Sequence, residues 1–475
     1  MAAVRTGLTA EGSLYEALAR GNKDTFFFKD SLEDSLNPFE NRYDPVPPVV
    51  HELRRIPPLN GADFGRSCEF EFDIAGDIFV RPTVLIDLPT WLPPTEAALN
   101  ETVLIHQTGS TDTTYGYTNG IGYFLFSKIQ IYQDKILLFE TTGDALWASR
   151  ASRGSLNSAY LENKLAGWHD GSSESIAAAA TPGRLRLELP FIGGPHQGFP
   201  SISMRQQNFK LRLTLRTLEE VIESSDSTST VPATPWRLQS FTAEADTGPY
   251  TFASLAREKM GVPALQLETR HIYTDGDTQL ALRSAPIEIP YAQLYENRFT
   301  FGPLNYSPLE RNAVASVTNR IDARHPASRL FWFTRSHDDL RAGRRWKVTA
   351  TNASEDYYTN QSLVIAGRDR ETLMSPFIWN ELTHHAKEDR DPGRGISEMN
   401  WDMGSVVGRR AAFYDKQPEG SVNFTTADRP TLYTELAAIP PDSVLGKPAA
   451  EMTAVVDAWS LYTIEKERGV LKYGF

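Results

Sequence analysis

The chain has 475 residues, 40% of them hydrophobic and 23% charged, which is enough for about two to four cored domains and excludes a peptide that depends on staples. Its 60 acidic residues outnumber 48 basic ones for a net charge of -12, a field that repels polyanions and argues against direct genome packaging. A single cysteine, Cys68, excludes an intrachain disulfide; it reads as a small core residue in a chain suited to a reducing compartment.

The counts of 30 Pro, 32 Gly, 24 Phe, 18 Tyr and 9 Trp favour many short strands joined by turns. An all-β chain is expected. No stretch approaches the roughly 18 apolar residues of a membrane span, and the first residues lack an apolar signal core, so neither a membrane span nor standard secretion is expected.

Residues 1–50 read as an arm. Leu14, Tyr15, Leu18 and Ala19 share a helical face, Gly21-Asn22 stops it, Thr25 to Lys29 (TFFFK) is a brief strand, and Pro45 to Pro48 is a stiff link. Residues 51–217 form a first β block, with strands expected at 69–74, 78–88, 102–107, 122–139, 184–192 and 208–216. Within it, Glu69 to Pro89 (EFEFDIAGDIFVRPTVLIDLP) is strand, turn, strand: Gly76 permits the turn geometry and Asp77 caps local amides. Tyr123 to Glu140 reads as a half-buried hairpin turning at Gln133-Asp134. Gly116 to Gly122 (GYTNGIG) has no following Lys-Ser/Thr and is read as the approach to that hairpin. Trp147 to Gly183 is read as a long loop with a helical excursion. In NFKLRLTLR, Leu211, Leu213 and Leu215 alternate with Arg212, Thr214 and Arg216, giving one wet face.

Residues 218–263, with SSDSTSTVPATP, make a linker or exposed excursion. Residues 264–475 form a second block, with strands at Leu265 to Thr274, Phe299 to Phe301, Val314 to Ile321, Arg329 to Thr334, Leu363 to Ala366, Ala411 to Tyr414, Thr453 to Ile464 and Val470 to Tyr473. Two blocks of similar style suggest an internally duplicated barrel. The basic run Arg341 to Lys347 (RAGRRWK) has two readings. Trp346 offers a stacking face to a nucleic acid, but no second basic cluster extends it, which favours a solvated loop or an intersubunit salt-bridge patch.

Enzymatic signals are missing from the sequence. It has no His-x-His, no Gly-x-Ser-x-Gly, no Walker loop and no His-Glu-x-x-His; His384 and His385, being adjacent, point to opposite faces of any strand. Asp389 and Asp391 lie in a charged Pro/Gly loop. No catalytic residue, metal or cofactor is expected. Asn-x-Ser/Thr acceptors at Asn100, Asn305, Asn352, Asn360 and Asn423 read as chance matches without a secretory signal.

Several segments, in order along nearly the whole chain, resemble one family. They are the apolar, Gly76-Asp77, apolar, Leu88-Pro89 series; Leu187 to Phe191 (LELPF) before the alternating strand 208–216; and Asn319 to Asp322 with His325-Pro326 and Arg329 to Trp332. Gly367 to Glu371, with Asp369 and Arg370, continues the series. Gly420 to Phe424, with Asn423, then precedes Asp428-Arg429, and the closing Val455 to Leu461 and Gly469 to Tyr473 end it. This order is similar to the double jelly-roll major capsid proteins of nucleocytoplasmic large DNA viruses (iridovirus, phycodnavirus and marseillevirus-like). Thr425 to Asp428 is an insertion relative to that pattern, and Gly171 to Pro182 has no counterpart in it.

The resemblance implies two consecutive eight-stranded jelly-roll barrels with an N-terminal arm and long loops. It further implies a homotrimer whose pseudo-hexagonal outline tiles an icosahedral shell. Gly76, Asp77, Pro89, Gly367, Asp369, Arg370, Gly420, Asn423 and Phe424 would serve as structural turn and motif residues. Implied partners are neighbouring trimers, minor capsid and penton proteins and, through the arm, inner-membrane-associated virion proteins, with no direct nucleic acid. The implied location is the outer capsid of a virion assembled in host cytoplasm; some relatives are glycosylated. Two other readings stand beside it. One is a minor or penton-associated jelly-roll protein; the other is a carbohydrate-active or lectin-like β-sandwich, supported by aromatic content alone.

Overall fold

The computed structural model describes residues 49–72, 76–89, 115–151, 164–169, 171–192, 198–204, 208–226, 261–284, 286–301, 315–348, 357–383, 395–401, 420–436 and 450–472. The arm elements at 14–29, the link at 45–48, the strands expected at 102–107 and 411–414, His384, His385, Asp389, Asp391, Asn100, Asn305 and Asn352 lie outside them.

In chain order the first half carries β1 (Val50–Ile56), β2 (Ser67–Phe72), β3 (Ile78–Asp87), β4 (Tyr115–Tyr117), α1 (Ile121–Phe124), β5 (Phe126–Gln133) and β6 (Ile136–Thr141). It continues with α2 (Gly143–Ala151), α3 (Ser173–Ala178), β7 (Leu185–Glu188), β8 (Phe209–Leu215) and β9 (Ile222–Ser224). The second half carries β10 (Ala264–Tyr273), α4 (Gly276–Ser284), β11 (Ile287–Phe301), β12 (Ala315–Arg320), β13 (Pro326–Ser336) and α5 (His337–Arg341). After these come β14 (Tyr358–Ile365), β15 (Arg368–Met374), β16 (Ile396–Asn400), β17 (Val422–Asn423), β18 (Thr431–Leu436), β19 (Ala450–Glu465) and β20 (Arg468–Leu471).

Two sandwiches result, each of two antiparallel sheets. The first faces the sheet β1-β10-β3-β7 with β2-β8-β5-β6; the second faces β11-β19-β13-β16, extended by β17 and β20, with β12-β18-β14-β15. Among the described residues no strand closes either sandwich into a barrel. Period-two patterning accounts for the first core: Cys68, Phe70 and Phe72 from β2 and Leu211, Leu213 and Leu215 from β8 all point inward. On the wet face Arg212 answers Glu69 at 2.7 Å. Rings fill the centre, with Phe72 stacked on Phe79 at 5.6 Å and Phe79 edge-on to Phe191 at 5.0 Å. Cys68 is buried there, and burial raises its thiol pKa to about 12.

The hairpin expected at Gln133-Asp134 forms as β5 and β6, with Asp134 in the left-handed region at φ 51° and its carboxylate accepting from the Asn208 amide. Four other expectations change. Leu265 to Thr274, read as opening the second block, is β10, which pairs with β1 through seven residues and with β3 on its other side; the chain returns to the first sandwich after the linker. The boundary expected at 263/264 therefore cuts through the first sandwich's strand set. The segment GYTNGIG does not approach the hairpin directly: β4 pairs with β9, and Gly120 at φ 70° turns the chain into α1, which replaces the start of the strand expected at 122–139. Trp147 belongs to helix α2 and is buried, so the expected long loop begins inside a helix. The strand expected at 184–192 is limited to the four residues of β7.

The sheet β11-β19-β13-β16 is covered on both faces. In β13, Leu330 and Trp332 point into the second core, whereas Phe331 and Phe333 pack into the first; β19 repeats this with Met452, Ala454 and Val456 against Val455. Ile289 and Tyr291 of β11 and Ile396 of β16 also join the first core. This explains why RLFWFT is apolar without alternation. The sheet is the seam between the two halves.

Candidate functional site

Three polar clusters sit on the face of the seam sheet that looks toward the first sandwich. The first centres on Asp144, at the start of α2. Gly143 lets that helix press on α1, because a Cβ there would lie 1.9 Å from the Tyr123 carbonyl oxygen. So placed, the fully buried Asp144 carboxylate accepts from Arg216 Nη2, and from Arg335 Nη1 at 2.8 Å. Arg298 and Arg345 follow at 3.7 and 4.0 Å. Burial alone would push Asp144 upward, but Arg216, Arg335 and Arg345 hold it far below the usual carboxylate range. Arg345 also donates to Glu220 at 2.9 Å, which lowers the Glu220 pKa against the opposing effect of burial.

The second cluster is Arg329 with Asp457 at 2.9 Å and Glu398 at 3.5 Å, and its Nη2 reaches across to Ser149 Oγ of α2 at 3.1 Å. Arg329 and Arg335 bracket Phe331 and Phe333 on one face of β13, each guanidinium over the neighbouring ring, at 5.1 and 4.8 Å.

The third cluster is the basic run. It is neither a solvated loop nor an exposed basic patch. Ser336 caps α5 by accepting from the Asp339 amide at 3.0 Å, and the turn beyond inserts into the first sandwich. Arg344 is buried against Asp339 at 2.9 Å and the Asp226 carbonyl at 3.2 Å. Trp346 donates to Glu223 at 2.8 Å, and Thr118 donates to the Gly343 carbonyl at 2.7 Å. Gly343 has φ +79°, and a Cβ there would lie 2.2 Å from the Ile222 carbonyl oxygen, so the approach requires glycine. His169 Nε2 lies 3.2 Å from Glu223 in the same cluster. What reads in the sequence as a solvated loop is an intrachain clasp.

The sequence motif residues do not converge. Asp77 accepts from the Thr274 amide at 2.6 Å and from Gln279 Nε2 at 3.0 Å, groups about 200 positions away, so it ties the turn to the end of β10. Gly76 is required by close approach: a Cβ would meet His271 Cβ at 2.8 Å. The Pro89 carbonyl accepts from Tyr117 at 2.8 Å. Gly367 (φ +72°) turns the β14-β15 hairpin, with Asp369 and Arg370 exposed just beyond it. Asn423 is exposed and accepts from the Thr425 amide at 3.0 Å, while Phe424, four residues after Gly420, is buried against Trp401. Asn360 Nδ2 donates to Glu435 at 2.7 Å. Among the described residues no three His, Cys, Asp or Glu side chains are grouped to hold a metal ion, and no helix is long and apolar enough to cross a membrane.

Sequence reasoning misses the seam. Its one local signal is Arg329 and Arg335 at the same strand parity as Phe331 and Phe333.

No family model and no curated protein matches the chain. Solved structures do. A crystal structure of PBCV-1 VP54, fitted into a reconstruction of the virophage Sputnik, aligns with TM-score 0.67 at 14% identity over 92% of this chain and 100% of its own. A quasi-atomic model of the PBCV-1 virus capsid gives 0.65 at 15% identity over 92% and 100%, and the Faustovirus major capsid protein gives 0.54 at 11% over 90% and 92%. The fold is therefore the double jelly roll of these capsid proteins, with each jelly roll realised as a pair of facing sheets.

Proposed function

We propose that this chain is the major capsid protein of a large double-stranded DNA virus, three copies of which associate into a pseudo-hexagonal capsomer that tiles an icosahedral shell. The observation that carries the reading is the length of the match: the arrangement of two sandwiches aligns over 92% of this chain with the whole of the chain in a quasi-atomic model of a virus capsid. Three copies of a two-sandwich chain present six similar units, an outline that close-packs on a facet. Among the described residues, two of the sheets end at β1 and at β15, edges that assembly would cover. Neighbouring trimers, minor capsid proteins and penton proteins are the expected partners, with virion proteins at an inner membrane contacted through residues 1–50. The outer capsid of a virion assembled in host cytoplasm is the expected location, and the role is mechanical, without catalysis.

The carbohydrate reading loses its support, because aromatic residues that motivate it, among them Trp147, Trp332 and Trp379, lie inside the two cores and not on a sugar-stacking surface. Light scattering tests the proposal. The expected result is a particle of three times the 53.1 kDa chain mass, without glycosidase or sugar-binding activity. A stable monomer that binds or cleaves sugar overturns it.

A further inference from the structure

The Asp144 cluster leaves donors unused. Arg335 is fully buried and donates from Nη1 alone, to Asp144 Oδ1 at 2.8 Å and to the Arg345 carbonyl at 3.1 Å. Its Nε and Nη2, which together form the side-on fork of a guanidinium, have no acceptor among the described residues. Arg345, whose carbonyl Arg335 touches, is in the same condition at its buried Nε. Thr453, opposite Phe333 in β19, has a buried hydroxyl without a partner among the described residues. An unmet buried donor costs about 1–3 kcal/mol, and more when charged, so native structures answer such groups with water or an ion.

We propose that the seam binds a small monovalent inorganic anion, a halide such as chloride, on the Nε/Nη2 fork of Arg335 and the Nε–H of Arg345. The lining selects for such a ligand. Water accepting these bonds must aim its own two hydrogens at acceptors, and the unpartnered groups are three guanidinium nitrogens, which only donate, and one hydroxyl, which can take one such hydrogen. A halide only accepts. The local potential also favours it: Asp144 is the one carboxylate within 4 Å of Arg335 among the described residues, and Glu451, opposite Arg335 in register, forms no ion pair with it. Arg345 titrates low, at about 10, through burial and the facing charge of Arg216 and Arg335, with Asp144 and Glu220 only partly offsetting them. The inference stands on the seam and is independent of the capsid reading.

Two measurements on the full chain test it. Crystals soaked in sodium bromide and measured at the bromine edge are expected to show an anomalous peak within hydrogen-bonding reach of Arg335 Nε and Nη2. In parallel, replacing sodium gluconate by sodium chloride at constant ionic strength is expected to raise Tm saturably, by about 2 °C or more. Density at the fork without anomalous signal means an ordered water only and overturns the proposal. A bromide peak without any chloride dependence of Tm means an adventitious ion only and overturns it equally. Arg345→Gln should lose the chloride response, and an undiminished response in that variant counts against the assignment; if the variant does not fold, the two wild-type measurements decide.

Discussion

Asp144→Asn isolates the contribution of the seam's central charge while keeping its shape. Asp144 and Arg335 are both fully buried, and the carboxylate also answers Arg216. Deleting one partner of a buried pair costs roughly 3–5 kcal/mol, because the remaining charge is stranded. Asparagine retains one acceptor oxygen for Arg335 Nη1, which places the expected loss near the lower bound, about 3 kcal/mol. That is a large fraction of the roughly 5–15 kcal/mol that holds a folded domain. Urea denaturation followed by tryptophan fluorescence reads it well, since Trp147 lies in the first core and Trp332 in the second. Because the seam sheet serves both cores, the variant should unfold at lower urea in a single transition. Asp63→Asn, which removes an exposed partner of Arg66 at 3.6 Å, provides the comparison and should change stability by less than about 1 kcal/mol. A midpoint for Asp144→Asn as small in shift as that of Asp63→Asn, or a transition that splits in two, refutes the reasoning.

Gly76→Ala drives a Cβ to 2.8 Å from His271 Cβ and should lower stability by about 1–3 kcal/mol in the same assay; an unchanged midpoint means that β10 yields freely there. Asp77→Ala strips the Thr274 amide and Gln279 of their acceptor and should reduce folded yield, with a loss of about 1–3 kcal/mol by denaturation. Burial, with a smaller contribution from Arg54, holds His271 below its ordinary value of 6.5, so the unfolded chain takes up this proton first. The stability it contributes is complete above about pH 6.5 and is lost as pH falls toward the lower folded value. His271→Phe, compared with wild type in melts from neutral pH to pH 5, should flatten that decline; an identical pH slope refutes it. Peptide mass mapping should find Asn360 unmodified, because its amide nitrogen is engaged by Glu435, and a glycan there contradicts the β-sheet placement.

Strands whose environment is written in their own alternation are legible from the residues alone. β8 is of this kind, since it buries every second side chain, and the β5-β6 hairpin is legible from its turn at Gln133-Asp134. Membership of a sheet is not local information. LQLETRHIY alternates as any half-buried strand does, and only its partners β1 and β3 reveal that it completes the first sandwich. The basic run misleads for a related reason: arginine is ordinarily exposed, and the groups that draw Arg344, Arg345 and Trp346 inward, Asp226, Glu220 and Glu223, are more than 100 positions earlier. Asp77 does sit at a turn, yet the partners it has among the described residues, Thr274 and Gln279, lie about 200 positions along the chain. Gly76 likewise needs to be glycine, but contact with His271, not φ freedom, is the constraint.

The order of strands in the seam sheet also sets a schedule for synthesis. β19 lies between β11 and β13, pairing with one over fifteen residues and with the other over nine, yet it is translated more than 100 residues after either. Until it leaves the ribosome, β11 and β13 lack their common neighbour, and the flank of the first sandwich that receives Phe331, Phe333 and Val455 stays uncovered. A nascent chain of this topology carries an adhesive apolar flank from the completion of the first sandwich by β10 until β19 arrives, and loses it in one late step. Truncated products that end before β19 would retain that flank and its tendency to associate non-specifically.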